Sequence, residues 1–331
     1  MVLISKYDYE LLDLNNLHDS DESIEERFWS YGSLDFSDKG LEAFPADKIK
    51  HLEKLEHLDL SDNKLKEFPE ALRVCKKLRS LNLKFSGITK IPEWIVEFEK
   101  LEYLNISTIN IDDPRVFRSS RIKFPKNLKI LNLRYCGINS IPPGVFALEK
   151  LEYLNLLEND IFRISSKIKN LKNLKTLKMR WEYVFFVSKR IGELKKMKSL
   201  RMHTHFRGKM PKFVYHMKHL QRLDASSADI RVIAPDIKNL INLEYLDLNR
   251  NYDLEDIPKE IGDLKNLRVL NLSVCGLETL PQSIHNLDNL EVLDLSHNHL
   301  TEVKEEDFED MKSLRKLNLS NNKDKEAETN A

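Results

Sequence analysis

The sequence predicts an α/β solenoid built from short, stacked repeats. Its most regular feature is a hydrophobic pattern that starts again after 23 residues, as it does between Leu55 and Leu78 and between Leu151 and Leu174. Each period joins an alternating leucine segment, typical of a strand, to a proline-led segment with helical apolar spacing. Units this short cannot enclose a core alone, so they must stack to bury their leucines. A length of 331 residues alone would suggest two domains, but the repeats indicate that the chain forms one long array.

The first half of the repeat follows the pattern L-x-x-L-x-L-x-x-N/C-x-L. In Leu58-Asp59-Leu60, the alternation of a strand points both leucines inward and Asp59 outward. Asn63 follows where the chain leaves the strand, and its buried amide is expected to bond the backbone of neighbouring turns. The pattern starts at Tyr31, Leu55, Leu78, Leu101, Leu128, Leu151, Leu174, Met197, Leu220, Leu243, Leu267, Leu290 and Leu314.

The second half of the repeat follows I/L/F-P-x-x-I-x-x-L-x-x-L. Proline at its second position suits the first turn of a short helix, because the fixed φ of proline matches a helix start. The segments Glu93 to Leu101 and Lys259 to Leu267 have helical apolar spacing. Prolines occupy this position at Pro45, Pro69, Pro92, Pro142, Pro211 and Pro281.

These motifs resemble the leucine-rich-repeat family over roughly residues 31 to 322. The resemblance implies a horseshoe with one short parallel strand per repeat on the concave side and short helices or 3-10 turns on the convex side. The regular 23-residue form is similar to Ras-group intracellular repeat scaffolds, to the repeat domains of nucleotide-binding immune receptors and to bacterial repeat proteins. The resemblance implies a non-enzymatic protein-interaction module or scaffold, and signalling or immune recognition is the expected setting.

Three segments of different composition follow from this alignment. Residues 1–30 do not fit the repeat and are acidic, so we expect an N-terminal cap over the first core layer. Residues 31–322 form the solenoid of about twelve to thirteen repeats. Residues 323–331 are a polar C-terminal tail, which we expect to fray.

Composition argues against several classes of function. Lys plus Arg is 53 and Asp plus Glu is 53, which disfavours an electropositive nucleic-acid binder and a basic membrane-surface protein. The nine glycines are too scattered for a phosphate-binding loop. Cys75, Cys136 and Cys275 are odd in number and far apart, and two of them occupy the asparagine position of the repeat. We therefore expect unpaired thiols, a cytoplasmic location and a monomer.

The sequence contains no catalytic constellation such as GxSxG or HExxH. His203 and His205 are close along the chain, but they are expected on opposite sides of a strand end, so we predict no metal site. We predict no cofactor and no enzymatic activity.

The outward positions of the strands carry the functional prediction. The residue between the two strand leucines is Asp or Asn in every repeat except those with Lys178 and Arg201. Adjacent strands lie about 4.8 Å apart, so the unusual residues of the middle repeats form one surface. We call it the central patch, and it contains Arg134, Tyr135, Tyr153, Glu158, Lys178, Arg180, Trp181, Arg201, His203 and Arg222.

The central patch has the Arg and Trp content of an interface, and Trp181 is expected to be exposed there. Its cations indicate a protein partner that is acidic or phosphorylated where it binds. An alternative explanation for the central patch is that these less regular repeats have diverged and carry arbitrary polar residues on their outer face. A different class of function is a receptor for a small phosphorylated anion, held by Lys178, Arg180 and Arg201. A second candidate surface is the basic insertion between Asp112 and Phe124, which contains Arg115 to Lys123.

Overall fold

The computed structural model describes residues 32–48, 51–109, 122–181, 184–202 and 208–322. Within these ranges the chain alternates very short strands with 3-10 helices. The strands are β1 Ser33–Asp35, β2 His57–Asp59, β3 Ser80–Asn82, β4 Tyr103–Asn105, β5 Ile130–Asn132, β6 Tyr153–Asn155, β7 Arg163–Ile164, β8 Thr176–Lys178, β9 Phe186–Val187, β10 Ser199–Arg201, β11 Gly208–Lys209, β12 Arg222–Asp224, β13 Ile230–Val232, β14 Tyr245–Asp247, β15 Val269–Asn271, β16 Val292–Asp294 and β17 Lys316–Asn318.

One strand from each repeat contributes to a parallel sheet on the concave side. The strands pair in the orders β1-β2-β3-β4-β5-β6-β8 and β10-β12-β14-β15-β16-β17. The register places the same motif position side by side, for example Leu34 opposite Leu58 and Leu58 opposite Leu81. The predicted strands, their parallel direction and the α/β solenoid are confirmed. Equivalent side chains therefore stack in columns along the molecule.

The concave sheet is interrupted between β8 and β10. On either side of this break the backbone bonds are regular: the amide of Leu156 donates to the carbonyl of Lys178 at 2.7 Å, and that of Met202 donates to Asp224 at 2.7 Å. In the described backbone, no corresponding bond joins β8 to β10. Two smaller parallel pairs, β7 with β9 and β11 with β13, lie where the chain turns towards the convex side.

The convex side is formed by 3-10 helices, as expected. The predicted helical segments contain helices at Glu93–Glu97 and Lys259–Asp263, preceded by Pro92 and Pro258 in extended conformation. The helices are shorter than the apolar spacing suggested, because the hydrogen bonds of a 3-10 helix have poorer geometry and long runs of it are uncommon. The complete set in the described chain is Ala46–Lys48, Leu52–Lys54, Glu70–Val74, Glu93–Glu97, Pro143–Ala147, Ser166–Asn170, Lys189–Glu193, Val214–His216, Pro235–Asn239, Lys259–Asp263, Gln282–Asn286 and Glu305–Phe308.

The asparagine position connects successive turns, as predicted. The Asn63 amide nitrogen donates to the carbonyl of Phe36 in the preceding repeat at 2.8 Å and to that of Leu60 at 3.0 Å. Its oxygen accepts from the backbone amide of Leu41 at 2.9 Å. Each such side chain satisfies backbone groups that would otherwise be buried without partners.

Cysteine takes the same position in two repeats. The Cys136 thiol donates to the carbonyl of Ile106 at 3.2 Å, and the Cys275 thiol donates to that of Leu248 at 3.1 Å. Both thiols are free and buried, as is that of Cys75. Burial raises the pKa of Cys136 and of Cys275 to about 12, so neither thiol ionises near neutral pH.

A row of alternating charges follows the entrance to the strands. Arg79 lies between Glu56 and Glu102, at 3.3 Å from each carboxylate. Lys129 continues the row with a contact of 2.8 Å to Glu102. The repeats from Glu244 onwards alternate in the same way, in the order Glu244, Arg268, Glu291 and Arg315. Each charge therefore faces an opposite charge from a neighbouring repeat, except near the break in the sheet.

Several predicted features lie outside the described residues. These are the N-terminal cap at residues 1–30, the tail at 323–331, His203, His205 and most of the basic insertion. Within the described ranges, none of the helices combines the length and the apolar character that crossing a membrane requires.

Candidate functional site

The outward Asp and Asn residues have a structural role, because their side chains accept hydrogen bonds from the backbone. The Asn82 side-chain oxygen accepts from the backbone amide of Lys84 at 3.1 Å, and that of Asn105 accepts from Ser107 at 3.0 Å. Such local acceptors stabilise the turn that ends each strand. Asn82 and Asn105 are consequently buried.

Trp181 belongs to the core, and the expectation that it is exposed is wrong. Its side chain is 2% exposed and stacks on Phe213, with ring centroids 5.0 Å apart. Phe85 and Tyr135 occupy the equivalent motif position and are exposed, with φ of 49° and 53°. Trp181 does not share their left-handed backbone. A large aromatic side chain gains free energy by burial, and here the backbone allows it to turn inward.

The local sequence explains why Trp181 differs from its equivalents. Lys178 takes the position of the Asp or Asn at the strand end, and its side chain has no oxygen to accept a hydrogen bond from the amide of Arg180, two residues later. Arg201 takes the same position in the next repeat and also lacks an acceptor. These two residues end β8 and β10, the strands between which the sheet is broken. The two missing acceptors therefore coincide with the irregular part of the sheet.

Tyr153 is also buried, so it cannot act as an exposed aromatic anchor. It lies in β6 and is 7% exposed. The ammonium of Lys178 lies 5.7 Å from the centroid of its ring. This arrangement is a cation–π contact between adjacent strands.

Glu158 joins two of the predicted arginines. Its carboxylate lies 3.8 Å from the guanidinium of Arg134 and 3.6 Å from that of Arg180. All three side chains are partly exposed, so solvent screens these contacts. The structure thus brings these three residues together, with the single acid reducing the charge of the pair of arginines.

The remaining described cations of the central patch also have partners within the chain. Arg201 donates to the carboxylate of Asp224 at 2.9 Å. The guanidinium of Arg222 lies 3.4 Å from the ring centroid of Tyr245. A ligand of Lys178, Arg180 and Arg201 must therefore compete with Tyr153, Glu158 and Asp224, since each cation already contacts one of them.

A row of exposed and half-buried residues lies at the C-terminal ends of the strands in the earlier repeats. We call it the aromatic rim; it consists of Lys84, Phe85, Arg134, Tyr135 and Leu157. Phe85 is 58% exposed and Tyr135 is 63% exposed. Among the described residues, no carboxylate lies within 4.0 Å of the Lys84 ammonium.

Backbone hydrogen bonds hold the aromatic rim in place. The amide of Phe85 donates to the carbonyl of Ser107 at 3.0 Å, and that of Tyr135 donates to Leu157 at 3.0 Å. Between them, the amide of Thr108 donates to the carbonyl of Arg134 at 2.8 Å. The predicted central patch did not include Phe85, although Phe85 occupies the same position in its repeat as Tyr135. This shared position is the sequence signal that could have identified Phe85 as a surface residue.

Comparisons with known proteins agree with the architecture. Models of the leucine-rich repeat match residues 33–88 and 126–183, and a model of the leucine-rich-repeat region matches residues 229–330. Together they cover more than half of the chain.

One curated relative is the human PH domain leucine-rich repeat-containing protein phosphatase 1. It is 33% identical over 67 residues, which are 20% of this chain and 4% of that protein. The chain therefore spans only a small part of this relative.

Two solved structures share the fold. A leucine-rich-repeat protein of Leptospira interrogans is 22% identical, with a TM-score of 0.61 over 92% of this chain and 88% of its own. TLR13, in a complex with ssRNA13, is 23% identical, with a TM-score of 0.69 over 88% of this chain and 43% of its own. The repeated motif, the parallel strands and these matches lead to one conclusion: the chain belongs to the leucine-rich-repeat family.

Proposed function

We propose that this protein is a non-enzymatic interaction module that binds a partner protein through the aromatic rim. The observation that carries the proposal is the exposure of Phe85 and Tyr135 on a rigid row of backbone, each next to a cation. Large aromatic side chains exposed to water are typical anchors of protein interfaces. The fold alone supports an interaction module without identifying the partner.

The charges favour a partner with an acidic or phosphorylated contact surface. Lys84 and Arg134 lie immediately before the two exposed aromatic residues. Arg180 extends the positive surface towards the middle of the molecule through its contact with Glu158. Partly exposed cations of this kind contribute mainly to the rate and specificity of association.

We further propose that the protein acts as a monomeric scaffold in the cytoplasm, in signalling or immune recognition. The free thiols of Cys75, Cys136 and Cys275 support a reducing compartment.

Affinity capture from the native lysate with variant baits tests the aromatic rim. We expect Phe85→Ala and Tyr135→Ala each to weaken capture of the partner by about 1–3 kcal/mol of binding free energy. Tyr252→Ala is the matched control, because Tyr252 is 66% exposed but does not belong to the rim. Equal capture of the same partners by all three variants would contradict the proposal.

The alternative function is binding of a small phosphorylated anion by Lys178, Arg180 and Arg201. The concentration of cations on the strands favours it, although internal partners oppose it. Calorimetric titration with inositol phosphates distinguishes the two functions. A protein-binding surface gives no saturable heat, whereas an anion site gives saturable heat that Lys178→Ala and Arg201→Ala abolish.

A further inference from the structure

Three phenylalanines are exposed together on the flank of the solenoid, away from the aromatic rim. Phe162 is 42% exposed, and Phe185 and Phe186 are each 67% exposed. We call these three residues the phenylalanine patch. Exposed apolar clusters of this kind mark contact surfaces in soluble domains.

Backbone pairing fixes the phenylalanine patch on two consecutive repeats. The amide of Phe185 donates to the carbonyl of Phe162 at 3.0 Å. In the β7–β9 pair, Phe186 lies opposite Arg163. Ile164, the next residue in β7, is buried and fills the core position. The phenylalanines therefore remain outside, because the inward positions of the flank are already occupied.

The fold itself does not require phenylalanine at these positions. Other described repeats place mostly polar or small residues there, in the pairs Glu42 and Ala43, Lys66 and Glu67, Thr89 and Lys90, Asn139 and Ser140, Glu255 and Asp256, Glu278 and Thr279, and Thr301 and Glu302. Val232 is an apolar exception in a later repeat, and it is 37% exposed. The aromatic cluster is thus a local departure from a polar flank.

Cations surround the phenylalanine patch along the chain. Arg190 is one of them and is paired with the carboxylate of Glu193 at 2.6 Å, whereas several others have no carboxylate within 4.0 Å in the described ranges. Residues 161–169, 184–190 and 208–213 contain no Asp or Glu. The exposed cations in these segments that lack a carboxylate partner include Arg163, Lys167, Lys189, Lys209 and Lys212.

We propose that the phenylalanine patch docks on the surface of a membrane that contains anionic phospholipids. Phenylalanine side chains enter the boundary between headgroups and acyl chains, while lysines beside them attract the lipid phosphates. The zero net charge of the chain does not oppose membrane binding. Salt screens charges that lie more than about 10 Å from the lipid surface, so only the charges near the phenylalanine patch matter. The proposal replaces the expectation from composition that the protein has no membrane partner.

The composition of the flank favours a lipid surface over a second protein interface. Protein interfaces are depleted in lysine relative to arginine. Here Lys167, Lys189, Lys209 and Lys212 are lysines, and Arg163 is an arginine. Polybasic surfaces that attract anionic membranes use both cations as point charges.

Co-sedimentation of the full chain with vesicles tests the proposal. We expect binding to vesicles of phosphatidylcholine mixed with phosphatidylserine, weaker binding to phosphatidylcholine alone, and a decrease with added salt. The double variant Phe185→Ser with Phe186→Ser is expected to lower the partition coefficient at least about tenfold. The matched control is Tyr252→Ser, which removes an aromatic side chain of similar exposure, 66%, outside both the phenylalanine patch and the aromatic rim, and leaves vesicle binding unchanged.

A charge variant makes the test independent of the apolar substitutions. Lys189→Gln with Lys209→Gln is expected to remove the preference for phosphatidylserine. If the wild-type chain does not sediment with these vesicles, or if neither double variant alters sedimentation, the proposal is wrong. The proposal is also wrong if the Phe185 and Phe186 variant still binds vesicles but no longer captures a protein that the wild-type chain captures from lysate. The flank is then a protein interface.

Discussion

Asn82 and Lys178 occupy equivalent positions, one at the end of β3 and the other at the end of β8. The amide oxygen of Asn82 accepts a backbone hydrogen bond two residues on, and the aromatic residue that follows, Phe85, adopts a left-handed backbone and faces solvent. Lys178 lacks such an acceptor, and Trp181 is buried. One side chain near the strand end therefore influences whether a later one joins the core or the surface.

Replacement of Trp181 tests its place in the core. We expect Trp181→Ala to reduce the free energy of unfolding by about 3–5 kcal/mol, because it removes the partner of Phe213 and leaves a cavity. Urea denaturation measures the change. Tyr135→Ala is the matched surface control, with an expected effect within about 0.5 kcal/mol. Equal stability of the two variants would contradict the buried position.

His57 gives a second prediction at the scale of one residue. Burial lowers the pKa of His57 from its usual 6.5, and the described residues offer no hydrogen-bond partner to its Nδ1. Below pH 6.5 the unfolded chain therefore takes up a proton more readily than the folded chain, so stability falls as the pH falls. We expect His57→Leu to reduce this loss between pH 7 and pH 5.5, measured by thermal unfolding. An identical pH dependence in the variant would exclude His57 as a cause.

At the scale of elements, the break between β8 and β10 separates two sheets that are regular in themselves. Each strand has only three residues, so most of its stability comes from its neighbours in the sheet. The strands at the break have a partner on one side only. Lys178 and Arg201, the two residues that replace Asp or Asn, end the strands on either side of this break.

Hydrogen exchange tests the break directly. We expect the amide of Met179 to exchange at least about tenfold faster than that of Leu156, because Leu156 donates to the next strand and Met179 has no such bond in the described backbone. Measurement by NMR or mass spectrometry at peptide resolution compares the two. Equal protection of both amides would show that the sheet is continuous in solution.

Restoring the acceptor gives a prediction about the turn after β8. We expect Lys178→Asn to raise the free energy of unfolding by about 0.5–1 kcal/mol, since the amide oxygen satisfies the backbone as Asn155 does in the preceding repeat. Lys172→Asn serves as the control, because Lys172 precedes the strand, is exposed and has no carboxylate within 4.0 Å in the described part of the chain. A loss of stability in Lys178→Asn would indicate that the contact between Lys178 and Tyr153 outweighs the missing acceptor.

At the scale of the whole molecule, the sequence predicted the parts that depend on local spacing. The alternation in Leu58-Asp59-Leu60 identifies the strand and its buried face. The recurrence of the Asn63 position in later repeats sets the register between strands, so the parallel sheet could be predicted. The direction of Trp181 could not, because it depends on a hydrogen bond that Lys178 fails to make. Alternation along a strand predicts where a side chain points, but not which hydrogen bond it makes to the backbone. The central patch therefore included Trp181, which is buried. It also included Tyr153, which is buried in a regular strand beside Lys178 of the next strand.

The ends of the array provide the last prediction. Leu34 and Phe36 in the first described repeat are only partly buried, while their equivalents Leu58 and Leu60 are fully buried. We expect deletion of residues 1–30 to lower the melting temperature and the solubility, because it removes the predicted cover of this layer. Differential scanning calorimetry is the measurement, and deletion of residues 323–331 is the control. An unchanged melting temperature would show that residues 1–30 do not act as a cap.

The alternating charges at the strand entrance limit how such a molecule can grow. Duplication of two consecutive repeats preserves the order of signs, whereas duplication of one sets like charges side by side. Lys175 and Lys198 are such a pair of like charges, and they flank the break between β8 and β10. Glu244 and the charges after it continue the alternation that runs from Glu56 to Lys175, so Lys198 is a local reversal of sign at the break and not the start of a second phase.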